Sequence, residues 1–293
     1  MKKTVCALVT AALLFMMLCS CSSGVTKQEA DKEGKIRIVT SFYPVYVTVM
    51  NLTEGVEEIT VENLTPFDIG CLHDYKISPN DLRKLTGTKL FLASGKGMEP
   101  FVGMSSLGVP GLELLDCGED ISYIIEDEKE RENSHYWMNP SNQIEQVHKI
   151  KRALCRLDAK NAELYTANVM KYEKRILELG EELNKFREKL QGKRVCIYHD
   201  SLEYFTEYLG MKTKIIPVGA DSEEVAKIMG DETVIFVDSH FAKTEEFKKL
   251  IKKSGYTAIV TEALTEAVEG VSEADVYVNA IRHNLAALGG FFG

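Results

Sequence analysis

The chain of 293 residues is long enough for two domains with cores of their own, and with 45% hydrophobic and 27% charged residues it has the composition of an ordinary globular protein. A formal net charge of -9 argues against a nucleic-acid-binding surface and suits a protein that collects cations. None of the seven cysteines forms a CxxC pair, which argues against a thiolate zinc ribbon or a thioredoxin-like redox site.

Residues 1–21 are expected to be a lipoprotein signal. Lys2-Lys3 is a basic start, 5–18 is an apolar run too short to span a bilayer comfortably, and Leu18-Cys19-Ser20-Cys21 resembles the bacterial lipobox, with Cys21 as the lipidated residue. An uncleaved anchor or an ordinary secretory signal is the alternative. Residues 22–34 are polar and aperiodic and read as a flexible tether. The folded part is then expected outside the cytoplasmic membrane, held to it by acyl chains. Cys71, Cys117, Cys155 and Cys196 remain after processing; an exported compartment permits disulfides, but spacing does not pair them.

From residue 35 the pattern alternates strand and helix. Strands are expected over 36–40, 58–64, 89–93 and 112–116, with a turn at 41–44 leading into a helix that ends near Leu52 and a second helix N-capped by Asn80. Gly95-Lys96-Gly97-Met98-Glu99-Pro100 resembles a glycine-rich phosphate loop only superficially. A proline stands where the third glycine belongs and no lysine-serine pair is present, so a turn before a helix is expected. The charge run 126–133 reads as a solvated loop. It leads into Ser134-His135-Tyr136-Trp137-Met138-Asn139-Pro140, which holds the only tryptophan, and Ser141 opens a helix with Ile144, Val147, Ile150 and Leu154 at helical spacing.

A long amphipathic segment runs from 159 to 190, with Leu164, Tyr172, Ile176, Leu179, Leu183 and Phe186 as its apolar stripe. At 1.5 Å per residue it would extend roughly 45 Å, longer than one small domain is wide, so it is expected to join two lobes; a coiled-coil dimer is the rival reading. The second half repeats the pattern, with strands over 194–198, 214–217, 234–237 and 258–261 and helices over 201–209, from an N-cap at Ser222, over 243–254 and over 274–288. The domains are accordingly an N-terminal α/β lobe over 35–158, a linking helix over 159–191 and a C-terminal α/β lobe over 192–293. Alternating strands and helices imply mainly parallel sheets.

His73, His135 and His199 each stand where a strand or an irregular approach gives way to a helix, and Glu266 stands just past the last strand. Three neutral imidazoles and one carboxylate make a closed ligand set for a borderline divalent cation, Zn²⁺ before Mn²⁺ or another transition metal. His148 and His283 lie mid-helix among charged neighbours and read as surface residues.

Ser41-Phe42-Tyr43-Pro44, His73-Asp74-Tyr75 with Ser78-Pro79, Gly95-x-Gly97-Met98-Glu99-Pro100, His135-x-Trp137-Met138-Asn139-Pro140 and Ile235-Phe236-Val237-Asp238 together resemble the successive signatures of the metal-binding lipoproteins of bacterial zinc and manganese ABC transporters. The resemblance implies two (β/α) lobes joined by one long rigid helix, with the metal in the cleft between them. It implies His73, His135 and His199 as ligands of a zinc-type member and Glu266 at the position usually held by aspartate; Glu262 nearby and His240 at the end of a neighbouring strand are the alternative ligands. The chain departs from the family pattern at Asn133 and Asn139, where aspartate is common, and in its short connection from 217 to 234. The implied partners are a membrane permease and its cytoplasmic ATPase, with the chain a monomer, not an enzyme, and no nucleic acid involved. A zinc-dependent hydrolase, or a surface adhesin or organic-ligand lipoprotein on the same fold, is the alternative.

Overall fold

Alternation of apolar residues along short strands builds two parallel four-stranded sheets in the computed structural model, which describes residues 34–102, 108–122, 124–126 and 131–293. The signal segment with Cys21, the tether up to residue 33, and residues 127–130 of the charge run lie outside the described residues. In the first sheet β1 (Ile36–Thr40), β2 (Ile59–Asn63), β3 (Leu90–Ala93) and β4 (Glu113–Asp116) are ordered β2-β1-β3-β4, every pairing parallel. Helices α1 (Tyr43–Leu52) and α2 (Pro79–Leu85) make the crossovers. Helix α2 is capped by Ser78, not Asn80. Proline at the first helical position needs no N–H partner and carries a helical φ, so the cap falls on the residue before it. Ser78 and Asp81 then form a reciprocal capping box.

The glycine-rich stretch after β3 proves to be a carboxylate cradle. Ser94 and Gly95 donate their backbone N–H groups to Glu99 at 2.7 and 2.9 Å. Burial nevertheless holds the Glu99 carboxyl up at about 7. The described part of this segment, through Val102, is turn and not helix. In the charge run, where a loop is expected, β5 (Ile125–Glu126) and β6 (Arg131–Glu132) pair antiparallel.

Helix α3 (Pro140–Leu157) leads through a short 3₁₀ turn into α4 (Ala162–Leu190), whose 29 residues extend about 44 Å. Its buried face is Tyr165, Val169, Tyr172, Ile176, Leu179 and Leu183, a 4-3-4-3-4 spacing that follows the helical period. Tyr172, Ile176, Leu179 and Leu183 lie on that face as expected, whereas Leu164 and Phe186 at its two ends are both 36% exposed. The stripe packs inside this chain, in the main core.

The second sheet follows: β7 (Arg194–Tyr198), α5 (Glu203–Tyr208), β8 (Lys212–Ile216), α6 (Ser222–Met229), β9 (Val234–Asp238), α7 (Ser239–Ala242), α8 (Glu245–Ser254), β10 (Thr257–Thr261) and α9 (Glu273–Phe292). Its order is β10-β9-β7-β8, again all parallel. Asp221, and not Ser222, caps α6, accepting from the N–H groups of Glu223 and Glu224 at 2.9 Å.

Because successive side chains point to opposite faces of a strand, each sheet serves two cores. Ile38 of β1, Val195 and Ile197 of β7 and Phe236 of β9 share one continuous core with the buried face of α4 and with α9. Their neighbours in the strands face outward into two smaller clusters. Val39 and Phe91 join one, and Cys196, Tyr198, Ile235 and Val237 the other. The main core thus runs through both halves of the chain, and each half also keeps a smaller cluster of its own. Residues 36–293 form a single compact unit.

Candidate metal centre

The loop after β2 is fixed from behind. The Asp81 carboxylate accepts from the Tyr75 hydroxyl (2.9 Å), the Ser78 N–H (2.8 Å) and the Ser78 hydroxyl (2.7 Å), while Leu72 is fully buried in the main core. A charged acceptor with three donors is among the stronger ways to hold irregular backbone. Cys71 and His73, on either side of Leu72, are therefore presented by an ordered stretch.

His135 is fully buried, ahead of a 3₁₀ turn at Tyr136–Met138 and of Pro140, which starts α3 under an Asn139 cap. Asn133 sets its ring. The Asn133 Oδ1 accepts from the His135 N–H and lies 2.9 Å from His135 Nδ1, while its Nδ2 donates to the Asp200 carbonyl (3.0 Å) and to Glu203 Oε2 (2.8 Å). With the ring proton at Nδ1, the Nε2 lone pair faces outward, as a metal-binding histidine requires. Asparagine suits this position where aspartate would not, because only the amide can also donate to the two acceptors from the second half of the chain.

His199 leaves the end of β7, where the crossovers of the second sheet diverge toward β8 and β9; ligands of open α/β sheets collect at such switch points. Its backbone has φ +71 and ψ 157, a region that side chains other than glycine's avoid at a cost of about 1–3 kcal/mol. Strain of this kind persists where a side chain is needed in one place. In the metal-free protein, His199→Gly is expected to melt above His199→Ala, because relief of strain exceeds the roughly 0.5–1 kcal/mol that glycine ordinarily costs. Thermal unfolding in the presence of chelator checks this, and the reverse order would show that the backbone is relaxed.

The His73, His135 and His199 rings meet, with centroids 5.5 Å apart for the first pair, 5.2 Å for His135 and His199, and 6.2 Å for His73 and His199. Cys71 joins them. Among the described residues, the donor atoms of Cys71, His73, His135 and His199 all lie within 4.8 Å of one another, and Cys71 Sγ is 3.1 Å from His135 Nε2. Desolvation pushes the Cys71 thiol well above its ordinary value, and the carboxylates of Asp238 and Asp200 push it the same way. The thiol is therefore the donor to Nε2, along the line a cation would occupy. Asp200 Oδ1, buried and without a hydrogen-bond partner, lies 3.2 Å from His199 Nδ1 and 3.5 Å from His135 Nδ1. It supplies negative charge beside the rings without the alignment of a bond.

Glu266 stands outside this group. It forms an ion pair with Lys243 Nζ, accepts from the Ser239 hydroxyl at 3.1 Å, and has Oε2 3.5 Å from His240 Nδ1. Glu262 accepts from the same hydroxyl at 2.7 Å, and burial pushes its carboxyl up. The His240 ring packs against Gly70 and is likewise not in the donor set. His148 lies 3.2 Å from Glu173, and His283 Nε2 lies 3.1 Å from the Val260 carbonyl.

Cys71 is the residue that reading the sequence passed over. Nothing in the spacing of the cysteines sets it apart from Cys117, Cys155 and Cys196, and all four are unpaired thiols. The usable signal was its spacing to His73, two residues on in the same loop.

The family described as "ZnuA: Zinc-uptake complex component A periplasmic" matches residues 38–290. The high-affinity zinc uptake system protein ZnuA of Bacillus subtilis is 24% identical over 308 residues, covering 96% of this chain and 95% of that one. The manganese-binding lipoprotein MntA of Halalkalibacterium halodurans is 23% identical over 297 residues, covering 97% of each. Among solved structures, the metal-dependent lipoprotein YcdH of Bacillus subtilis superposes with a TM-score of 0.72 at 21% identity, covering 87% of this chain and 98% of its own. That likeness bears out the two-lobed α/β fold.

Proposed function

Because the chain belongs to the periplasmic zinc-uptake component A family, metal-binding substrate-binding proteins of ABC uptake systems, we propose that it captures Zn²⁺ outside the cytoplasmic membrane and delivers it to a permease driven by a cytoplasmic ATPase. The single observation that carries this reading is the convergence of His73, His135 and His199, far apart in the chain, on one set of donor atoms. Imidazole nitrogen favours later transition metals, and Zn²⁺ lies above Mn²⁺ in intrinsic affinity for such donors. The ion is cargo. Its binding replaces water with side chains already ordered by Asp81, Asn133 and the β7 terminus, so little further ordering opposes capture.

The division of labour we assign is an N-terminal lobe over 35–158, a linking helix over 159–191 and a C-terminal lobe over 192–293, tethered through 22–34 to a lipidated Cys21. Among the described residues no helix is long and apolar enough to cross a membrane. Full-length protein purified without chelator should carry stoichiometric zinc by elemental analysis. Protein free of metal that stays free after incubation with zinc would count against the reading, and a co-purifying organic ligand would favour a different cargo.

A further inference from the structure

This inference rests on the metal-capture reading and deepens it. We propose that Cys71, as a thiolate, is the fourth ligand, closing a tetrahedral site with His73, His135 and His199, and that the site therefore takes a thiophilic cation of the zinc type in preference to manganese.

Three features of the loop place the sulfur. Cys71 Sγ lies 3.1 Å from His135 Nε2, the nitrogen left with its lone pair because Nδ1 is held by Asn133. Cys71 and His73 flank buried Leu72, so both side chains emerge together from one ordered stretch. Gly70 has φ +75, and a Cβ there would fall 2.5 Å from His240 Nε2. Glycine thus lets the loop lie against the His240 ring, which backs the loop from behind.

Glu266 is committed elsewhere. It is absent from the donor set and is already paired with Lys243, a partner it would have to leave to reach an ion, while the Ser239 hydroxyl beside it would keep Glu262 as acceptor. The thiolate supplies the negative charge that Glu266 was expected to bring. Three of the donors then come from the first half of the chain and only His199 from the second. With every tetrahedral position filled by protein, none remains for a reacting water, as in closed zinc sites.

Co²⁺ and Zn²⁺ binding to the full chain test the assignment. Wild-type protein loaded with Co²⁺ should show an intense near-ultraviolet sulfur-to-cobalt charge-transfer band, absent in Cys71→Ser. Cys71→Ser should lose Zn²⁺ affinity by more than the ~10–100-fold that loss of an outer hydrogen-bond partner costs, and Glu266→Gln should keep both band and affinity. Excess Mn²⁺ should fail to displace Zn²⁺. Wild-type protein that takes up Co²⁺ without a sulfur band, or loses Zn²⁺ affinity in Glu266→Gln but not in Cys71→Ser, overturns the ligand assignment while leaving metal capture standing. Free exchange of Zn²⁺ for Mn²⁺ overturns the selectivity. Wild-type protein that takes up neither Co²⁺ nor Zn²⁺ overturns this inference and metal capture together.

Discussion

Zinc binding should be abolished in His135→Ala at ion concentrations that saturate the wild type. His135 is fully exposed to the other donors and not at all to solvent, with Nε2 3.1 Å from Cys71 Sγ and the ring within 5.5 Å of His73 and 5.2 Å of His199. Its removal takes out the central donor of the group. It also deprives Asn133 Oδ1 of the ring partner it holds at 2.9 Å, in the residue that bonds Asp200 and Glu203 of the second half. The loss should therefore exceed the ~10–100-fold typical of an outer partner alone. Competition against a chromogenic chelator measures it, with circular dichroism confirming the fold. Affinity within tenfold of wild type would mean that the ion binds elsewhere.

The second large effect is on pH. Ligands must lose their protons to bind a metal, so protons and zinc compete. Only the neutral imidazole offers a lone pair, so affinity should fall as the solution becomes acidic. The Cys71 thiol adds a distinct signature. Since desolvation raises its titration, and Asp238 and Asp200 raise it further, the metal-free thiol keeps its proton throughout the neutral range and must release it on loading. The sign follows directly: a proton expelled on binding makes affinity rise with pH, by about tenfold per unit, up to the titration of the thiol itself. Wild-type affinity should thus keep climbing from pH 7 to pH 8, whereas Cys71→Ser, left only with imidazoles, should level off. Equal affinity at mildly acidic and neutral pH would contradict the histidine ligation, and matching slopes for both proteins above neutrality would contradict the thiol's part.

Much of this architecture was legible because it is written in period and punctuation. The strands of both sheets alternate or run apolar between glycine and asparagine breaks, and the long helix shows its period over many turns. What failed to show was the sharing of surfaces. Nothing local marks Ile38 and Val195 as members of one core, and the exposure of Leu164 and Phe186 at the two ends of the α4 stripe depends on what packs against it. Cap positions slipped by a residue or two, at Ser78 and Asp221, because several capping residues stand side by side.

At the site, the histidines were legible as residue types at the ends of elements, while the acid was assigned from its place past the last strand and from the resemblance. The partnership of Glu266 with Lys243 depends on α7 folding back beside the last strand, which no spacing encodes. Asn133 stands in the sequence only as a departure from the family's usual aspartate. It ties His135 to Asp200 and Glu203, a role visible only once the two halves are in contact.

The most direct measurement is diffraction from zinc-loaded crystals with data collected on both sides of the zinc absorption edge. It should place one anomalous peak among the rings of His73, His135 and His199, with nitrogen at about 2.0–2.1 Å and the Cys71 sulfur at about 2.3 Å from the ion, and Glu266 still on Lys243. A peak beyond the reach of those three rings would contradict the account.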